Sequence, residues 1–253
     1  MTLSAFDGLG WLLVCLLPFI LVQRWLHEEL QTILLVLTNR PALAVGLFSL
    51  LFLPCVVVHE VSHWLMVRLL RVKTGHFSVI PKVMRNGMVR MGFVETARVD
   101  VVRDALIGVA PLIGGGLLIA WLGIHPLGML PLWDDLTRWN WPQLWLGISH
   151  LPSQPDFWLW FYLVFVISSM MLPSAPDRHA WLPVIVAIGA LIALALIAGA
   201  GTWMVNNLLP VVNDGLRAIA IVFAISLSIH ILLVIPLWTL RALLCRLTGK
   251  RVC

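Results

Sequence analysis

The chain has 253 residues, of which 60% are hydrophobic and 11% are charged, and its mean hydropathy is +0.97. This composition excludes an ordinary water-soluble domain and is typical of an integral membrane protein. The net charge of +5 is concentrated in a few loops, which indicates membrane orientation and argues against nucleic-acid binding. The four cysteines show no Cys-x-x-Cys spacing, so we expect neither a disulfide framework nor a cysteine zinc site.

Long apolar runs predict an all-α polytopic membrane protein with about six transmembrane helices, in a single domain that covers residues 1–253. The predicted spans are residues 8–26, 42–70, 105–123, 157–172, 181–205 and 216–238. Pro18 predicts a kink in the first span. Residues 31–37 are apolar but too short to cross a bilayer, so we interpret them as an interfacial or re-entrant piece that ends near Pro41.

Two segments between the spans have their own character. Residues 72–100 are strongly basic and contain Asn86-Gly87 between alternating apolar residues, which predicts a β-hairpin across about residues 77–94. Pro81 cannot donate a ladder hydrogen bond, so its strand should be an edge strand. The alternative for this segment is a solvated loop. Residues 124–156 are rich in Trp and Pro, and we expect them to lie at the outer membrane interface.

The distribution of Lys and Arg predicts the orientation in the membrane. Arg and Lys residues are concentrated between residues 68 and 104 and in the tail after residue 240, so both regions should be cytoplasmic. Six spans then place both termini of a multi-pass cell-membrane protein in the cytoplasm. Arg24 and Arg40 do not fit this orientation, because it places the segment that joins the first two spans, and contains both arginines, on the outer side.

Residues 59–63 read His-Glu-Val-Ser-His, the pattern H-E-x-x-H, near the end of the second predicted span. On a helix, His59 and His63 lie on one side and one turn apart, so both imidazoles can bind one zinc ion. Glu60 lies between them and is the candidate general base. The alternative is a helix end with two interfacial histidines and a Glu that reaches the interface. Ionisable residues inside a membrane segment are costly and usually functional, which favours the metal site.

A catalytic zinc needs a third protein ligand. If the span starts at Ala42, His59 lies about 26 Å into a core of roughly 30 Å, near the predicted cytoplasmic boundary. Asp177 follows the fourth span at that boundary, where two prolines can turn the chain back into the bundle. Asp177 is therefore preferred. Three other acids are predicted on the same side of the membrane and remain possible ligands: Glu95, Asp100 and Asp104. His179 is a weaker rival.

Three segments together resemble the site-2 protease family of intramembrane zinc metalloproteases. They are the His-Glu-Val-Ser-His motif, Ala-Pro-Leu-Ile-Gly at residues 110–114, and Pro-Ser-Ala-Pro-Asp at residues 173–177. The resemblance implies that His59, His63 and Asp177 bind zinc and that Glu60 is the base. The chain departs from the family pattern at two positions. Asp177 lies in Pro-Asp-Arg where the family has Leu-Asp-Gly, and Gly114 stands where the family has Asn.

The leading prediction is a zinc metalloendopeptidase that cleaves transmembrane or membrane-proximal protein substrates in the lipid bilayer. One alternative is a non-catalytic membrane scaffold of the same fold. Another is a proton or metal transporter that uses His59, Glu60 and Asp177 as a relay. A third is a different membrane metallopeptidase in which Glu95 is the third ligand.

Overall fold

The computed structural model describes residues 7–79, 82–83, 89–90 and 92–249, and most of these residues are helical. Within these described residues, four helical segments are long and apolar enough to cross a membrane, and a bent helix pair raises this number to five if it counts as one span. These helices agree with the predicted class of α-helical membrane protein. The number of exactly six spans stays a prediction.

The first helix, α1 (Asp7–Thr38), is a continuous helix of 32 residues with Pro18 inside it. The separate interfacial piece predicted at residues 31–37 is therefore wrong, because these residues belong to the same helix. The polar residues His27, Glu28 and Glu29 lie within α1 without interrupting it, and the buried one, Glu29, has partners inside the protein. Glu29 forms an ion pair with Arg241 and accepts a hydrogen bond from the Trp25 indole at 2.9 Å.

The second predicted span is not one straight helix. It consists of α2 (Pro41–Leu51) and α3 (Leu53–Leu69), which are bent by 62° at Phe52. Pro54 explains the break, because it has no amide hydrogen for the carbonyl four residues earlier and its ring clashes with that turn. The Tyr162 hydroxyl donates to the carbonyl of Leu51 at 2.8 Å. The straight-helix depth estimate for His59 therefore does not apply.

Antiparallel strands follow α3, as predicted. They are β1 (Thr74–Ser78), β2 (Lys82–Val83), β3 (Val89–Arg90) and β4 (Phe93–Thr96). β1 pairs with β4, with Phe77 opposite Val94, and β2 pairs with β3. The Asn86-Gly87 turn and Pro81 lie outside the described residues, so the predictions for them are not tested.

The remaining elements are helical. They are α4 (Val101–Ile124), α5 (Leu130–Thr137), α6 (Trp141–His150), α7 (Phe157–Met170), α8 (Trp181–Ile197), α9 (Gly201–Trp203) and α10 (Leu209–Thr248). A π-helical turn, Met204–Leu208, joins α9 to α10, and Pro176–Arg178 forms a 3-10 turn before α8. α8 ends before the predicted limit of residue 205, with Gly199 at φ 86° just after it. The predicted outer segment, residues 124–156, forms two short helices, α5 and α6, without buried side chains.

α1 and α10 pack side by side and run in the same direction. Contacts at three levels show this: Gly8 with Asn213, Phe19 with Phe223, and Glu29 with Arg241. If both helices cross the bilayer, Asp7 and Thr248 lie on opposite faces. The structure does not fix the position of either helix in a bilayer, so the prediction that both termini are cytoplasmic is not tested. That prediction assumed an even number of crossings and an outer connection at residues 27–41. In the structure, α1 continues to Thr38, so Arg40 lies at the end of the bundle where α10 also ends.

The apolar core lies where α1, α4, α7 and α10 meet. Its fully buried or nearly buried members include Phe19, Ile119, Val164, Phe165, Phe223 and Ile229. α3 packs against α4 and α7 at one end of this core. α8, in contrast, has no buried residue. The two motif histidines therefore lie on a helix that is held by two others, at the edge of the best-packed part of the bundle.

Candidate metal centre

The two motif histidines lie on α3, and each ring is oriented by a carbonyl of a different helix. Nδ1 of His59 lies 3.1 Å from the carbonyl oxygen of Met170, and Nδ1 of His63 lies 2.8 Å from that of Ile107. A carbonyl can only accept a hydrogen bond, so each Nδ1 carries the hydrogen and donates it. A neutral ring held in this way has its lone pair on Nε2, which is the usual arrangement of a metal-binding histidine.

Asp177 lies in the 3-10 turn Pro176–Arg178 and faces both rings. Its Oδ2 is 3.8 Å from Nε2 of His59, and its Oδ1 is 3.4 Å from Nε2 of His63. The two Nε2 atoms are 3.2 Å apart. Tetrahedral bonds of 2.0–2.1 Å to zinc place neighbouring ligand atoms about 3.3 Å apart. These three side chains therefore form a group that can hold a metal ion.

Two hydrogen bonds from Ser174 and one packing contact with α4 hold the Asp177 turn in this position. The backbone amide of Ser174 donates to Oδ2 of Asp177 at 2.8 Å, and the Ser174 hydroxyl donates to the same oxygen. The main chain of the turn also lies directly on α4 at Gly108. A Cβ atom added at Gly108 would be 1.9 Å from the carbonyl oxygen of Asp177, so only glycine permits this approach.

Glu60 lies beside the group, in the same turn of α3, and its side chain is 8% exposed. Gly92, just before β4, packs directly on it. A Cβ atom added at Gly92 would lie 2.7 Å from Cγ of Glu60 and 2.8 Å from Oε1. The start of β4 therefore covers the Glu60 carboxylate, and it does so only because residue 92 has no side chain.

A cavity of about 620 Å³ connects these groups. Besides the histidines, Glu60 and Asp177, its walls include Gly92, Phe93 and Val94 from the strand side and Gln23 and His27 from α1. This volume falls within the roughly 300–1,000 Å³ that is usual for ligand pockets. The cavity is much larger than one ion requires, so it has room for a further molecule beside His59, His63 and Asp177.

The rival acids have other partners. Glu95 accepts a hydrogen bond from the amide of His76 at 3.2 Å, and Asp104 forms an ion pair with His179. Asp100 caps the start of α4, where the Arg103 amide donates to it at 3.0 Å and lowers the pKa of its carboxyl group. Across the described residues, the only group of three ligand-type side chains close enough for one ion is His59, His63 and Asp177.

Some residues of the site were not predicted from the sequence. Gln23 and His27 line the cavity, although α1 has no metal motif. The carbonyls of Ile107 and Met170 orient the rings, and no sequence pattern identifies a carbonyl that binds a side chain from another helix. Gly108 belongs to no sequence pattern that indicates a metal site. Its contact with the Asp177 turn depends on the positions of α4 and residue 177.

Comparison of the chain with family models, with curated proteins and with solved structures finds no match. The assignment of a function therefore depends on the chemistry of the site.

Proposed function

We propose that this protein is an intramembrane zinc metalloprotease that hydrolyses peptide bonds of transmembrane or membrane-proximal substrates. The observation that carries the proposal is the convergence of two Nε2 lone pairs and one carboxylate, with a buried Glu next to them in one cavity. Two Nε2 lone pairs at 3.2 Å repel each other, and either a metal ion or a proton between them removes this repulsion.

The donor set favours zinc among the divalent ions. Imidazole and carboxylate ligands suit zinc, and three protein ligands with one open position are the usual pattern of a catalytic zinc site. His59, His63 and Asp177 would hold the ion. Zinc supplies Lewis-acid chemistry at such a site, because it polarises a carbonyl group and makes water more acidic.

Glu60 would act as the general base. Its carboxylate takes a proton from the attacking water and then gives that proton to the nitrogen of the leaving amine as the peptide bond breaks. The position of Glu60 suits this role, since it is largely shielded from solvent and lies next to the histidines in the cavity wall. Gly92 limits the space around the carboxylate, which restricts its orientation.

The substrate would bind beside β4. A helical substrate has its carbonyls in internal hydrogen bonds, so it must unwind before a peptide bond can be attacked. Gly92, Phe93, Val94 and Thr96 line the cavity, which places an extended backbone next to Glu60. An unwound substrate segment can add to this strand by main-chain hydrogen bonds, a common mode of peptide recognition.

The decisive experiment measures zinc content and cleavage together in detergent-purified Glu60→Gln. The probe is a mixture of fluorophore-labelled synthetic single-span peptides with Asn-Pro in the middle of the span. We expect Glu60→Gln to retain zinc and to lose at least about 100-fold in cleavage rate, the lower end of what general-base catalysis contributes. Glu95→Gln is the matched control, and it should retain both zinc and activity.

Other outcomes distinguish the alternatives. Loss of zinc in Glu95→Gln would support Glu95 as a ligand. A wild-type protein that binds no zinc would overturn the proposed metal centre and support a non-catalytic scaffold. A zinc-loaded wild type that cleaves no peptide of the mixture but moves zinc across vesicle membranes would support a transporter.

A further inference from the structure

The carbonyl that orients His63 belongs to the middle of α4. In an α-helix, the carbonyl of residue 107 accepts the amide hydrogen of residue 111. Residue 111 is Pro111, which has no amide hydrogen. The carbonyl of Ile107 therefore lacks its helical donor, and it lies in the interior, where Pro111 is fully buried.

His63 supplies the missing donor. Its Nδ1 lies 2.8 Å from the Ile107 oxygen, and the residue as a whole is 7% exposed. A buried carbonyl without a partner costs free energy, so this hydrogen bond satisfies α4 and fixes the imidazole ring at the same time. With the hydrogen on Nδ1, the lone pair on Nε2 points toward His59 and Asp177.

We propose that Pro111 is a positioning residue of the metal centre, because its lack of an amide hydrogen leaves the carbonyl of Ile107 available to His63. Any other residue at position 111 would bring an amide hydrogen to that carbonyl and compete with the imidazole. The proposal depends on the proposed metal centre and adds a residue that contacts neither the ion nor the substrate.

The ring of His59 depends on a comparable arrangement with a different cause. In a continuing helix, the carbonyl of Met170 would accept the amide hydrogen of Ser174. α7 ends at Met170, and the Ser174 amide donates to Asp177 instead. The carbonyl of Met170 is then available to Nδ1 of His59. Both rings thus donate to carbonyls whose usual helical donors are absent or engaged elsewhere.

The test is Pro111→Ala in the full-length protein purified in detergent. We expect zinc affinity, measured by competition with a chromophoric chelator, to fall about 10- to 100-fold, the range seen when a residue that orients a metal ligand is lost. The unfolding midpoint of the metal-free variant should stay the same or rise, because Ala is a far better helix former than Pro. A purely structural role for Pro111 would lower both quantities together.

Pro18→Ala in α1 and Pro236→Ala in α10 are matched controls, since both prolines lie inside helices. They should keep zinc affinity within about twofold of the wild type, well short of the loss expected at an orienting residue. Wild-type affinity in Pro111→Ala would overturn the role of Pro111 and leave the metal centre standing. An equal loss in all three variants would also overturn it. A wild type that binds no zinc would instead overturn the metal centre.

A second measurement does not depend on the variant folding. Nitrogen-15 NMR of histidine-labelled, zinc-loaded wild type should show His63 with its hydrogen on Nδ1, protected from exchange with solvent. A hydrogen on Nε2 of His63 would contradict the proposal.

Discussion

Two groups of ionisable residues lie within this bundle, and they differ in how their charges are balanced. Along α1 and α10, Asp7 pairs with Arg217 and Glu29 pairs with Arg241, so each acid has a cation from the neighbouring helix. At the candidate metal centre, the Nε2 atoms of two imidazoles and the Asp177 carboxylate converge, and no Arg or Lys is among the three groups.

This difference distinguishes acids that are neutralised within the chain from a group that can bind a cation from outside it. A buried acid that is neutralised by an Arg needs nothing from outside the chain, and the pair joins two helices. Converging lone pairs are unfavourable unless a metal ion or a proton joins them, so such a group can bind a cation that the chain itself does not supply. The same residue types thus have opposite consequences, depending on what faces them.

The largest effect is expected for Asp177→Ala. Removal of the carboxylate should reduce zinc affinity by more than about 100-fold, beyond the range typical of residues that only orient ligands. The protein should remain folded, because Asp177 lies in a turn rather than in the core. Metal analysis and chelator competition on detergent-purified protein check this. Asp134→Ala, an exposed acid on α5, is the control and should bind zinc normally. An unchanged zinc affinity in Asp177→Ala would show that the two groups do not differ as described.

The next effect concerns the helix pair. Glu29 is only 5% exposed, so Glu29→Gln leaves Arg241 without its buried partner. We expect the free energy of unfolding to fall by about 3 kcal/mol, roughly a 100-fold change in the folding equilibrium. Zinc affinity of the folded fraction should not change. Chemical unfolding in detergent and a zinc titration measure the two quantities separately. Glu28→Gln, an exposed neighbour, should alter neither, and a loss of zinc affinity in Glu29→Gln would link the two groups.

The smallest effect is expected for Gly108→Ala, which tests how exactly the Asp177 turn must be placed. The added methyl group would collide with the carbonyl of Asp177, so the turn must move away from the histidines. Zinc affinity should fall about tenfold, near the lower limit for a residue that positions a ligand. Gly116→Ala is the matched control on the same helix, because its Cβ would meet only Val222 at 3.9 Å. Equal zinc affinities in the two variants would exclude a role for this contact.

Some features of the centre followed from local sequence. The spacing of His59 and His63, with Glu60 between them, places three functional groups on one turn of any helix. The choice of Asp177 had a weaker basis. The depth argument assumed a straight helix from Ala42, whereas the chain bends at Phe52. Asp177 nevertheless lies beside both rings, because the chain after α7 turns back onto Gly108.

The sequence by itself therefore determined the membrane class, the strand pairing after α3 and the histidine pair, since hydropathy and residue spacing act over short stretches of chain. The tertiary structure alone decided which acid meets the histidines, which carbonyls orient their rings, and that α1 and α10 run in the same direction. These features depend on contacts between residues far apart in the chain. Such contacts are set by how helices bend and pack, and packing depends on the shapes of several helices at once.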